Sequence, residues 1–123
     1  MFTKYLYIKV LKNVFEILPL ENADTVTRYT SEQPFTTTRL LVGQFSAAET
    51  SLKQAITETL GKPRLLSSIC LIIHPIEMCE GGLSQVEERI FIELGLGAGA
   101  RKVKLHTGKE LSPEQALDLL KSR

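Results

Sequence analysis

Cys70, His74 and Cys79 fall within ten residues of one another, with Glu77 and Glu80 among them. These are the residue types that ligate zinc or build an activated thiol. Spacing limits what they can do. Cys70 and His74 lie four apart in the apolar run Ser68-Ile-Cys-Leu-Ile-Ile-His74. If that run is extended they share a face, but they sit about 13 Å apart along it, too far for one ion. Cys79 follows in a loop and can approach His74, and Glu77 and Glu80 are the carboxylates within reach. A small ligand-binding or hydrolytic site near His74, Glu77 and Cys79, at the carboxyl ends of the strands, is therefore the enzymatic reading. Neither a third metal ligand nor a group to orient a Cys79–His74 pair is evident. No complete catalytic, metal or nucleotide motif is present, so the expectation is no enzyme, no metal and no cofactor.

Glycines offer two further signals. Gly81-Gly82 could form an anion nest ahead of a helix, or simply let the chain turn. Gly95-Leu-Gly-Ala-Gly99 has the look of a dinucleotide fingerprint. It follows a helical pattern rather than a strand, which is the wrong context.

The elements that would position these residues can be read in order. Tyr5 to Lys12 alternates, with Leu6, Ile8 and Val10 on one face and Tyr5, Tyr7, Lys9 and Leu11 on the other, which predicts a strand with one buried face. Lys12-Asn13 suits a tight turn, and Val14 to Leu18 runs back to Pro19. Asp24–Thr30 and Thr36–Val42 are further strand candidates on Thr, Val and Tyr content, with turn residues between them, and they form either two strands or one strand and a loop. Ser46-Ala-Ala-Glu49 reads as a capping box. The stripe Ala48, Leu52, Ala55, Ile56 and Leu60 then predicts a helix stopped by Gly61 and Pro63.

Ile69 to Ile73 is apolar without alternation, as in a central strand covered on both faces. Ser84-Gln-Val-Glu87 opens a second helix, with Val86, Ile90 and Leu94 on its inner face and Gly95 to Ala100 ending it. Lys102 to His106 alternates as an outer strand. Ser112, Pro113 and Gln115 start a third helix along Ala116, Leu117 and Leu120. The expected fold is α/β, one domain over residues 1–123. It is a mixed five-stranded sheet in which an N-terminal antiparallel meander leads into a βαβ crossover, in the order 3-2-1-4-5 with helices on both faces.

The bulk numbers exclude several function classes. A net charge of +1 on 123 residues, with 24% charged side chains scattered along the chain, gives no basic face for nucleic acid. No apolar run reaches membrane-span length, and Lys4, Lys9 and Lys12 interrupt the apolar start. Two cysteines make no disulfide framework, so a cytoplasmic location with reduced thiols is expected.

The strand ending in Pro75, the helix with Gln85-Val-Glu-Glu-Arg89, and Gly97-Ala-Gly-Ala-Arg-Lys-Val-Lys-Leu105 together carry a resemblance. With Pro63-Arg64, they make the stretch from Gly43 to His106 similar to the MreB family of bacterial actins, and the N-terminal hairpin fits in outline. The resemblance implies a ribonuclease-H-like fold, one lobe of an actin-like ATPase. It matches Glu87 to the glutamate that places the attacking water in that family. As the third residue of a capping box, Glu87 is equally a structural residue. The family's hairpin carries an aspartate and a Gly-Thr turn, whereas Ile8-Lys-Val-Leu-Lys-Asn13 has neither. The second lobe would lie beyond Arg123. The expectation is thus a single bacterial lobe without the nucleotide-binding motifs, acting through protein contacts in cell-shape or other actin-like assembly. Its partner would be an actin-like filament protein or a second copy. Glu77, Cys79, Glu80, Glu88 and Arg89 are the candidate contact residues.

Overall fold

A computed structural model describes residues 2–61 and 67–122; Pro63 and Arg64 lie outside the described residues. The elements run β1 (Phe2–Leu11), β2 (Val14–Pro19), β3 (Thr27–Thr30), α1 (Phe45–Leu60), β4 (Ser67–Pro75), α2 (Gln85–Gly97), β5 (Lys102–Leu105) and α3 (Pro113–Lys121). The five strands form one mixed sheet in the order β3-β2-β1-β4-β5. The first three are antiparallel, and β1, β4 and β5 are parallel. This is the α/β topology expected from the sequence.

Two cores sandwich the sheet. On one face Leu6, Ile8, Val10, Ile69, Leu71 and Ile73 pack beneath α1 and α2. On the other, Tyr7, Cys70 and Ile72 meet Ala116 and Leu120 of α3. Period-two alternation along β1 and β4 therefore feeds both cores. Strand β1 is covered on both faces, not on the single face expected. Tyr7 is only 1% exposed, because α3 covers the side of the sheet that the tyrosines occupy.

Thr36–Val42 is not a strand. Its threonines bond their own backbone: Thr36 Oγ1 donates to the Leu41 carbonyl at 2.7 Å, and the Leu40 N–H donates to Thr37 Oγ1 at 3.2 Å. Local side-chain bonding of this kind competes with a sheet ladder. The loop instead inserts Phe35, Leu41 and Val42 into the larger core, with Phe35 stacked on Phe15 at 5.0 Å.

The start of α1 also differs from expectation. Gln44, not Ser46, is the N-cap, and it makes no side-chain cap bond. Phe45 packs against the core and so takes the first helical position. Glu49 is then too far into the helix to close a box and pairs with Lys53 at 3.9 Å. The Ser84–Glu87 and Ser112–Gln115 boxes both form.

Helix α2 continues through Gly95 and Gly97 rather than stopping at them. A Cβ on Gly95 would lie 2.7 Å from Val103, and one on Gly97 would lie 2.0 Å from Glu49. These glycines are sites of close approach to the sheet and to α1 rather than helix breakers. Lys102 of the edge strand donates to the Leu120 carbonyl at 2.7 Å and to the Ser122 carbonyl at 2.8 Å. It places a cation at the negative end of α3.

Candidate functional site

The carboxyl ends of β1 and β4 bring His74 to the floor of a hollow of about 320 Å³, with Lys9, Glu16, Ile76 and Glu110 around it. His74 is 1% exposed. Its Nε2 lies 2.9 Å from the Gly108 carbonyl, and its Nδ1 lies 2.6 Å from the Tyr7 hydroxyl. A carbonyl can only accept, so Nε2 carries the proton and Nδ1 accepts from Tyr7. The phenolic oxygen in turn accepts from the Leu111 N–H at 3.1 Å. The imidazole also stacks on Tyr7 and meets the edge of His106 at 4.7 Å. Lys9 pairs with Glu110 at the rim.

Burial holds the His74 pKa below its ordinary value of 6.5; the Gly108 bond pushes the other way, and His106 and Lys9 lower it further. Burial likewise raises the Tyr7 pKa, partly offset by the Leu111 bond. Both rings are neutral in the folded protein at neutral pH. The unfolded chain, with His74 near its ordinary pKa, binds the proton more readily. This histidine therefore contributes stability that is full above about pH 6.5 and is lost as pH falls toward the folded-state pKa. Urea melts at pH 7.5 and pH 5.5 check this. The midpoint drops on acidification, and the drop is smaller in His74→Leu.

The other residues of the enzymatic reading do not converge on His74. Glu77 Oε1 accepts from the Lys12 N–H at 2.8 Å, at the tip of the β1–β2 hairpin. The Cys79 thiol donates to the Pro75 carbonyl at 3.6 Å. Its pKa is raised, chiefly by burial and then by Glu80 and Glu87, which keeps it a thiol rather than a nucleophilic thiolate. Cys70 lies in the smaller core, where Arg101 Nη2 donates to its sulfur at 3.4 Å. No group of three or more His, Cys, Asp or Glu that could hold a metal occurs among the described residues. Gly81 and Gly82 both have positive φ, and the Gly82 N–H closes a turn on the Cys79 carbonyl at 3.0 Å.

Glu87 occupies its cap: Oε1 accepts from the Ser84 N–H at 3.0 Å, while its own N–H donates to Ser84 Oγ at 3.2 Å. Glu80, Glu88 and Arg89 are exposed. Arg89 pairs with Glu93 at 3.6 Å along the outer side of α2. That side is more apolar than its charges suggest. Val86, expected on the inner face, is 70% exposed, because Phe91, Leu94 and Gly95 turn to the core instead. Val86 and Ile90 join Phe45 of α1 in an open apolar hollow of about 470 Å³, rimmed by Arg89 and Glu93. The sequence signal for this patch was Val86 standing three residues before Arg89 and seven before Glu93. A helix drawn with Phe91 rather than Ile90 at its centre would have placed all three outside.

No family model matches the chain. Among curated proteins it is similar to the uncharacterized protein YjaA of Escherichia coli (strain K12), at 32% identity over 104 residues that cover 80% of this chain and 80% of that protein. Identity at that level over four-fifths of both chains makes this protein a member of the YjaA family.

Proposed function

We propose that this protein is a non-catalytic, actin-like lobe that works as a protein-interaction module in the cytoplasm. Its contact surface centres on Val86, Ile90 and Phe45, with Arg89 and Glu88 beside them. The observation that carries the interaction reading is the apolar hollow around Val86. On α2 Phe91 and Leu94 are buried in the core while Val86 is left 70% exposed beside this hollow, and an apolar side chain bared at the edge of an apolar depression is the mark of a face meant to be covered. Among the described residues no helix is long and apolar enough to cross a membrane.

Support for the actin-like part is the strand order together with the Gly97–Leu105 segment, which leaves α2 and enters β5 in the order that the resemblance to the bacterial actins implies. The hairpin tip, where that family carries its phosphate turn, is tied to the protein itself through Lys12 N–H to Glu77 and Asn13 to the 35–36 loop. The partner is an actin-like filament subunit or a second copy of this chain. The alternative, a ligand or hydrolytic site at His74, Glu77 and Cys79, has less support because each of the three is bonded elsewhere.

Size exclusion with light scattering, on the chain alone and mixed with a purified bacterial actin, tests the reading. Self-association or co-elution is expected. Val86→Asp weakens it by at least about tenfold, since it places a charge in an apolar contact. A strictly monomeric protein that retains no actin, or association indifferent to Val86→Asp, overturns it.

A further inference from the structure

A larger hollow lies away from the His74 network and adjoins the Val86 patch only at the start of α1, where Phe45 lines the patch and its neighbours Gln44 and Ser46 line the groove. It is a groove of about 930 Å³ between β3, the 32–37 loop and the first turns of α1. We propose that it binds a neutral polyhydroxylated ligand, a short saccharide. The inference is independent of the interaction surface on α2.

A sugar presents apolar C–H faces and a rim of hydroxyls that both donate and accept. The groove matches each part. Tyr29, half-buried against the core, supplies an aromatic wall. Gln33 and Gln54 supply amides that donate and accept at once, and Glu32 supplies a carboxylate able to accept from two neighbouring hydroxyls. Thr50 and Ser51 add hydroxyls from α1.

The hydroxyl chain has a defined direction. Ser31 Oγ donates to the Gln33 carbonyl, so the Ser51 hydroxyl donates to Ser31 and retains acceptor capacity. The first turn of α1 has no side-chain cap, and Gln44, Ser46 and Ala47 line the groove there. Backbone donors are thus at hand for sugar oxygens.

Charge argues against an anion. None of the lining side chains is Lys or Arg. The Tyr29 pKa is raised by burial first, then by Glu32 and Glu58, which marks a negative field. The volume falls within the roughly 300–1,000 Å³ typical of small-molecule sites.

The test is an NMR titration of the ¹⁵N-labelled full chain with maltotriose, cellotriose and chitotriose, and separately with inorganic phosphate. At least one trisaccharide should shift the amides of residues 29–37 and 44–54 and saturate. Tyr29→Ala should abolish the shifts. Because Tyr29 also touches the core, the exposed residues Glu32 and Gln54 provide the second test, and Glu32→Ala and Gln54→Ala should each weaken binding about fivefold. Silence with all three sugars, shifts confined elsewhere, saturation by phosphate alone, or affinities unchanged in both exposed variants would overturn the proposal.

Discussion

Replacing Asn13 with alanine should lower the stability of this protein by about 3 kcal/mol, a drop of roughly 10–15 °C in Tm for a domain of this size. Asn13 does three things at the β1–β2 turn. Its φ of 58° lies in the left-handed region. Its Oδ1 accepts from the N–H groups of Phe35 and Thr36, both at 2.8 Å. Its own N–H donates to Thr36 Oγ1 at 3.0 Å, and its carbonyl accepts from the Ser31 N–H at 2.9 Å. Alanine keeps the backbone bonds but orphans two part-buried donors and pays the left-handed penalty of about 1 kcal/mol.

Glycine at this position should recover about that last 1 kcal/mol, because it adopts positive φ freely. Aspartate should stay nearest to the native protein, since a carboxylate accepts the same two bonds. Guanidinium melts of the three variants rank them. A loss below about 0.5 kcal/mol in Asn13→Ala would show that the 31–42 loop is not held from this turn.

Tyr7→Phe should be nearly as damaging, at about 2–4 kcal/mol. The hydroxyl sits between His74 Nδ1, to which it donates, and the Leu111 N–H, from which it accepts. Removing one oxygen therefore leaves an unmatched acceptor and an unmatched donor, with His74 only 1% exposed. Because Leu111 leads directly into α3, hydrogen exchange should rise in residues 111–121 before it rises in α1. The double variant Tyr7→Phe/His74→Leu should cost less than the sum of the two single changes, by about 1 kcal/mol or more, since the Tyr7 hydroxyl and His74 Nδ1, each orphaned by the other's single change, leave together. Additive losses, or exchange that rises evenly over the molecule, would mean that the network does not hold α3 in place.

These two residues also mark where sequence reasoning reached and where it stopped. Asn13 is legible as a turn residue, because its tolerance of positive φ is a property of its own side chain. Its reach to Phe35 and Thr36 is not legible, because that contact spans 22 and 23 residues and depends on where an irregular loop lands. Tyr7 reads as the outer set of an alternating strand. Only the docking of α3, which begins more than a hundred residues later, turns that set into a second core. The threonines of 36–38 favour a strand by propensity, yet the hydroxyls of Thr36 and Thr37 find local backbone first.

What the chain's own sequence determined was the order and kind of its elements. The period-two runs, the two serine capping boxes and the glycine at 61 are local, and short-range sterics and hydrogen bonding settle them before any tertiary contact forms. Sheet order followed too, since a hairpin and right-handed crossovers leave few alternatives. Tertiary structure alone decided which polar groups were consumed and which were left facing outward. His74 and Glu77 look reactive in one dimension but are hydrogen-bonded to partners distant in sequence, whereas Val86 looks buried but is left bare. Burial and hydrogen-bond satisfaction depend on all the neighbours of a group at once, and packing supplies those neighbours.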